Sequence, residues 1–405
     1  MYITHRQQFF DHLAQTSDYP LALEIEKAEG VYMFGADGKS YIDLISGIAV
    51  SNVGHRHPKV LAAIHEQLEK HMHLLVYGEF VQSAQVRLAS ALTRTLDVNA
   101  PNPSPFGKID NVYFTNSGTE ATEGAMKLAK RFTGRSEFIS CINAYHGATQ
   151  GALSLAGSDT FKQNFRPLLP GIKHIHHGVL ADLESITEKT AAVVIEVIGG
   201  ESGVRVPEKE YMVQLRKRCS EVGALMILDE IQTGFGRTGT FWAFEQFDIY
   251  PDILLSAKGM GGGMPIGAFM ASQEVMSVFK NSPILGHITT FGGHPICCAS
   301  SLAALEVIVD EKLHSAAFEK GELFKSLLKH PKISEVRGSG LMLAAQMESF
   351  EKLKNTIDHC IENGVVTDWF LFCDDAMRIA PPLTITEEQI REACKVIIDV
   401  LYSDS

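Results

Sequence analysis

The sequence predicts an α/β protein in which a large domain with a mostly parallel central sheet is joined to a smaller α+β domain. Three observations carry that expectation. Short runs rich in β-branched and aromatic residues recur through the middle of the chain, at NVYFTN (111–116), EFISCI (137–142), AAVVIEVI (191–198), ALMILDEI (224–231) and DILLSA (252–257). They lack the polar alternation of a half-exposed strand, as expected for strands covered by helices on both faces. A helical stretch, PEKEYMVQLRKRCSEVG (207–223), lies between two of these runs, so strand, helix and strand imply a parallel crossover. The C-terminal third changes character, with helical patterns near 299–329, 350–363 and 387–402 around strands expected at 333–347 and 376–380.

Within the crossover helix, Met212, Leu215, Cys219 and Val222 make one apolar stripe. Pro207 suits the first turn and Gly223 the stop. The last helix opens on Thr386-x-x-Gln389, a capping box, and continues with Ile390, Ala393, Ile397 and Val400 on one face. These patterns divide the chain into an N-terminal segment (1–50) that joins the small domain, a large domain (51–295) and a C-terminal small domain (296–405).

Composition narrows the function. Of 405 residues, 45% are hydrophobic and 21% charged, the balance of an ordinary globular protein with enough chain for two cores. A formal net charge of −12 repels polyanions, which excludes a general binder of nucleic acid or anionic membrane. No apolar run approaches the roughly 20 residues of a membrane span. Seven cysteines without C-x-x-C pairs read as reduced thiols, and MYITHRQQFFDHL lacks the apolar core of a signal peptide. A cytoplasmic protein is expected.

Three features point to chemistry. The run NVYFTN leads into Ser117-Gly118-Thr119-Glu120 and a helix with Ala125, Leu128, Ala129 and Phe132 on one face. A glycine at a strand-to-helix turn offers backbone N–H groups to an anion, and the helix dipole adds to the attraction. Many helices begin this way without a ligand. Asp229-Glu230 ends the apolar run ALMIL, where α/β folds place ligands. A buried acid needs a partner, which could equally be a neighbouring loop or a protonated pyridine nitrogen. Lys258 ends the next apolar run and precedes a glycine tract, which sets it apart from the usual surface lysine. Partly desolvated, it would become a nucleophile for a carbonyl. Gly261–Gly263 lacks the spacing of a dinucleotide loop.

With these residues in view, DEIQTGFGRTGTFWAFE (229–245) and PDILLSAKGMGGGMPIGA (251–268) resemble the signature of class III aminotransferases. The resemblance runs through GVYMFGADGKSYIDLISGIAVSNVGHRHP (30–58), NSGTEATEGAMKLAK (116–130), AYHG (144–147), TTFGGHP (289–295), VRGSGLM (336–342) and MRIAPPL (377–383), and is nearest to the acetylornithine, ornithine and 4-aminobutyrate group. It implies the pyridoxal-phosphate transferase fold type I and a homodimer with shared active sites. It also implies Lys258 as the Schiff-base lysine and proton shuttle, and Asp229 as partner of the pyridine nitrogen. Gln232 would bond the ring hydroxyl, Tyr145 and Ile231 would cover the ring faces, and Gly118 and Thr119 would hold the phosphate, with Thr290 reaching in from the other subunit. Ser117 and His146 fall among the expected cofactor contacts.

For the substrate, EVIGGESGV (196–204) resembles the family's E-P-x-Q-G-E-x-G segment, with Val197 and Gly199 departing from it. The resemblance pairs Glu201 with Arg378 as a switch. In place, the glutamate neutralises the arginine and an amine-bearing chain is accepted; displaced, it frees the arginine to grip a carboxylate. Glu196 and Tyr19 are further substrate candidates. The family's arginine after the tyrosine-His-Gly motif is Ala148 here, a loss of roughly 1.5–3 kcal/mol of charge-assisted contact. Weaker dependence on a distal carboxylate in the acceptor is therefore expected. His55 and His57 lack the further ligands of a zinc site, and no metal is expected. The function expected is transfer of a terminal or ω-amino group from an amino acid to an oxo acid such as 2-oxoglutarate. The rivals are an aminomutase or racemase of the same fold, which would need no acceptor, and a silent binding protein.

Overall fold

The computed structural model describes residues 4–403, and three sheets organise them. An antiparallel meander comes first, with β1 (Ile25–Glu29), β2 (Tyr32–Gly35) and β3 (Ser40–Asp43). The central sheet holds β4 (Asn111–Thr115), β5 (Glu137–Cys141), β6 (Ile172–Ile175), β7 (Thr190–Glu196), β8 (Leu225–Asp229), β9 (Ile253–Ser256) and β10 (Gly267–Ala271). Then follow β11 (Glu335–Ser339), β12 (Met342–Gln346), β13 (Val365–Val366), β14 (Trp369–Phe370) and β15 (Cys373–Ile379).

The central order is β4-β10-β9-β8-β7-β5-β6, parallel throughout except for β10, which runs antiparallel to β4 and β9. Every residue of β7, β8 and β9 is buried, so the continuous apolar runs reflect helix cover on both faces. Helix Gly118–Thr133 packs on β7, β9 and β10, and helix Lys209–Val222 on β7 and β8. The latter ends at Gly223 in the left-handed conformation, as its sequence suggests, but Pro207 lies ahead of the N-cap residue Glu208 instead of inside the first turn.

Four further details differ from the sequence expectation. GAFMA (267–271) forms β10, which is not among the strands expected from the sequence. The short β6 was not anticipated either. The pattern at 299–329 is two helices, Pro295–Asp310 and Leu313–Leu327, broken where Lys312 turns left-handed. The strand expected over 333–347 is a hairpin, β11 and β12. The capping box of the last helix forms as expected: Thr386 N donates to Gln389 Oε1 and Gln389 N to Thr386 Oγ1.

Distant segments are stitched together. β13 lies parallel to β3, pairing Val365 with Ile42 and Val366 with Asp43. Helix Pro295–Asp310 packs on helices Pro58–Lys70 and Ser83–Thr95. The fully buried Arg237 donates to Leu341 O, to Pro381 O and, at 2.6 Å, to Asn52 Oδ1. Burial pushes its pKa down to about 9. His55 bonds Asp43, whose other oxygen accepts from the N–H groups of Ile45 and Ser46.

Beneath the sheet, Arg216 and Asp252 form an ion pair at 2.9 Å with side chains 1% and 0% exposed. Asp252 also accepts from Met226 N and Ser104 Oγ. Removing the arginine strands a carboxylate that cannot reach water. Arg216→Ala is therefore expected to cost about 3–5 kcal/mol in a urea titration, and a loss below about 1 kcal/mol would contradict this account of the pair.

Candidate active site

The carboxyl ends of β7, β8 and β9 deliver Glu196, Asp229 and the turn that starts at Lys258. Glu196 and Asp229 are register partners on adjacent parallel strands, so the two carboxylates lie side by side. Around them opens a cavity of about 510 Å³, lined in part by Ser117, Gly118, Thr119, Tyr145, His146, Glu196, Glu201, Asp229, Ile231, Gln232 and Lys258. The strand ends of a parallel sheet are where such folds place ligands.

Asp229 is met from two sides. Its Oδ1 accepts from Ile231 N at 3.0 Å and its Oδ2 lies 2.7 Å from His146 Nδ1. Burial works against a charged imidazole, but Asp229 outweighs it and holds the His146 pKa above its usual value. Among the described residues His146 Nε2 is buried without a partner. Burial pushes Glu196 up to about 7, with His146 pulling it down and Asp229 pushing it up. Glu196 accepts from Tyr145 N at 3.3 Å and Gly200 N at 3.1 Å, so it bonds the backbone of two loops.

At the end of β4, Ser117 caps helix Gly118–Thr133 by accepting from Glu120 N. Glu120 in turn accepts from Asn116 N, the residue before the cap. Gly118 and Thr119 open this helix and line the cavity, and the N–H groups of a first turn have no intrahelical acceptor. Gly118 has a steric reason as well: a Cβ there would sit 2.8 Å from Ile231 Cδ1. Thr119 Oγ1 lies 2.7 Å from Thr149 Oγ1, which donates to Glu123.

Lys258 has a φ of 45°, a conformation that costs a non-glycine residue about 1–3 kcal/mol. The turn is wedged from behind, since a Cβ on Gly259 would meet Asn52 Nδ2 at 2.4 Å and Asn52 is itself held by Arg237 and Phe235 O. Desolvation lowers the lysine pKa, helped by Arg378 and opposed by Glu201, Asp229 and Glu196. Among the described residues nothing accepts a hydrogen bond from its Nζ.

Arg378 sits behind Glu201. Its Nη1 and Nη2 donate to the two Glu201 oxygens at 3.1 and 3.0 Å, a bidentate pair. Its Nε donates to Asp368 Oδ1 at 2.7 Å, Nη2 also reaches Trp369 O, and Phe370 covers the guanidinium at 4.4 Å. Glu201 further accepts from Leu371 N and, at 3.4 Å, from Gln232 Nε2. Burial opposes its ionisation, but Arg378 keeps its pKa below the usual carboxylate value.

Not every candidate converges. Tyr19 is 82% exposed and outside the cavity lining, and Thr290 is exposed on this chain. Ala148 lies at the cavity mouth with only a methyl group to offer. Asp368 was not anticipated, because ten residues of sequence separate it from Arg378 and only strand pairing brings them together.

The sequence profile described as "Aminotransferase class-III" matches residues 13–401. The chain is 38% identical over 395 residues to an acetylornithine aminotransferase of Methanopyrus kandleri, covering 96% of each. It superposes on the ornithine aminotransferase of Toxoplasma gondii with a TM-score of 0.90 and 31% identity, over 99% of this chain and 95% of that one. An amine transaminase from an uncultivated Pseudomonas species, solved in its PLP-bound form, gives a TM-score of 0.87 at 26% identity, over 97% and 98%.

The buried groups make stability depend on pH. Glu196 is raised to about 7 from an ordinary 4.5, so the fold favours its protonated form, and stability falls as pH rises from about 4.5 through 7. The raised His146 has the same sign: its stabilisation is complete below the ordinary 6.5 and is lost as pH climbs through the higher folded value. Glu196→Gln in the cofactor-free chain should therefore flatten the fall of the melting temperature between pH 5 and 8. A steeper fall than in the parent chain would contradict the assignment.

Proposed function

The chain belongs to the class III aminotransferases, and from that premise we propose that it transfers the terminal amino group of an amino acid of the ornithine or N-acetylornithine type to 2-oxoglutarate or a related oxo acid. It is a pyridoxal-phosphate-dependent enzyme of fold type I. The observation that carries the substrate reading is the bidentate Glu201–Arg378 pair, which presents a neutralised arginine to an incoming amine-bearing chain.

The cofactor fits the groups in the cavity. The N–H groups of Gly118 and Thr119 at a helix start suit its phosphate, and Tyr145 and Ile231 in the cavity lining suit the two faces of a flat ring. Asp229, held by His146 and Ile231 N, is a carboxylate able to keep a ring nitrogen protonated. Pyridoxal phosphate supplies the aldehyde that takes up the substrate's amino group and the ring that draws electron density from the neighbouring C–H bond.

The chain's own residues do the rest. Lys258 Nζ, desolvated and free of protein acceptors, holds the cofactor between turnovers and then carries the proton away from the amine-bearing carbon. Ser117, Gly118 and Thr119 anchor the phosphate, Gln232 bonds the ring hydroxyl, and Tyr145 and Ile231 enclose the ring. His146 acts through Asp229, fixing the carboxylate that faces the ring. Glu196 ties the Tyr145 loop to the Glu201 loop, and the exposed Tyr19 is a candidate contact for the far end of the substrate.

Thr290 reaches the phosphate site of a second copy in a homodimer. Ile284, Leu285, Ile288 and Phe291 are exposed around it, an apolar surface suited to such an interface. The seven free cysteines suit the reducing cytoplasm. Among the described residues no helix is long and apolar enough to cross a membrane.

Lys258→Ala should keep a folded chain, with a circular dichroism spectrum like the parent, and lose at least about 10³-fold in turnover for lack of its proton-transfer group. Turnover retained within tenfold would remove Lys258 from the centre of the reaction.

A further inference from the structure

Arg378 carries a counter-ion on its own hairpin. Asp368 precedes β14, whose Trp369 pairs with Met377 of β15, and Arg378 N donates to Asp368 O at 2.9 Å. The side chains repeat that link, Nε to Oδ1, at 2.7 Å, the length of a charge-assisted bond. Glu201, the other partner, comes from the loop after β7. Movement of the Glu201 loop would therefore leave the arginine with Asp368, Trp369 O and the Phe370 ring.

We propose that Asp368 is a specificity-determining residue that keeps Arg378 neutralised when Glu201 swings away, so that the site favours amine-bearing chains and grips the carboxylate of an oxo acid weakly. The inference rests on the aminotransferase reading of the cavity and adds a substrate preference to it. One guanidinium between two carboxylates carries a net −1, and after Glu201 leaves it carries 0, where an arginine with a single partner would become +1. Three of the four nitrogen–acceptor contacts of Arg378 are to carboxylate oxygens, and its side chain is 3% exposed.

The rest of the cavity agrees. Among the described residues that line it, only Lys258 and His146 can bear positive charge, and His146 is held by Asp229. Glu196, Glu201 and Asp229 face them, while Ala148 adds nothing at the mouth. Desolvation leaves the Asp368 pKa above its ordinary value, a rise that Arg378 opposes. A cavity with this charge pattern attracts a cationic or neutral chain and resists a second carboxylate.

The test uses holoenzyme with 2-oxoglutarate varied against a saturating amine donor. Asp368→Asn preserves shape and should lower the Michaelis constant for 2-oxoglutarate about tenfold, because an arginine freed of Glu201 then meets the carboxylate with full charge. Glu201→Gln alone should lower it no more than about twofold, since Asp368 stays in place, and the double variant about tenfold or more. A purely structural role for Asp368 would alter stability and turnover without this selective change in the acceptor constant. An unchanged acceptor constant in Asp368→Asn overturns the proposal, as does a fall in Glu201→Gln equal to that of the double variant. If Asp368→Asn fails to fold, Glu201→Gln decides alone: little change supports the lock and a tenfold fall refutes it. Failure of the underlying reading looks different, because the parent enzyme would then turn over no amine with any oxo acid.

Discussion

A carboxylate at the end of a strand that is otherwise apolar has to be met by donors, and Asp229 is that carboxylate. It ends β8, whose residues are all buried, and it receives Ile231 N and His146 Nδ1 within 3.0 Å. The neighbouring strand ends in Glu196, so two buried acids share one edge of the sheet. Lys258, His146 and Arg378 are the cations that balance this edge, with His146 and Arg378 buried and Lys258 half-buried at the cavity. The site is thus a small set of mutually dependent charges, and none of them could be removed without stranding another.

That dependence explains how much of the fold is devoted to holding the edge still. Lys258 occupies a left-handed conformation that only a well-packed neighbourhood sustains. The support comes from Asn52 against Gly259, and Asn52 is fixed by Arg237, whose guanidinium also ties Leu341 and Pro381. One buried arginine therefore connects the N-terminal segment, the central sheet's loops and the C-terminal strands behind the lysine. Arg378 organises the opposite wall in the same manner, joining the hairpin of β14 and β15 to the Glu201 loop. Two buried guanidiniums with fixed fork geometry thus brace the residues behind the cavity lining, a task that a flexible ammonium group would perform poorly.

How far this was legible in the sequence differs from one part to another. The apolar strands β4, β5, β7, β8 and β9 could be read because helix cover leaves a simple compositional mark. β10 could not, since GAFMA is short, small and antiparallel among parallel neighbours, and its identity depends on pairing with β4 and β9. In the cavity, residues that sit at strand ends or helix starts, such as Ser117, Asp229 and Lys258, were visible from local pattern. Asp368 was not, because its meaning comes from lying opposite Arg378 across a hairpin. Tyr19 and Thr290 lie outside the cavity of this chain, so sequence likeness alone singles them out.

The central claim is that Lys258 and Asp229 hold pyridoxal phosphate for transfer of an amino group. The most direct measurement is the visible spectrum of the purified enzyme titrated with ornithine, N-acetylornithine, 4-aminobutyrate, lysine and a simple diamine, with no oxo acid present. The account predicts a yellow protein whose colour bleaches with at least one of these amines and returns when an oxo acid is added. A protein that stays colourless after addition of the cofactor would contradict it.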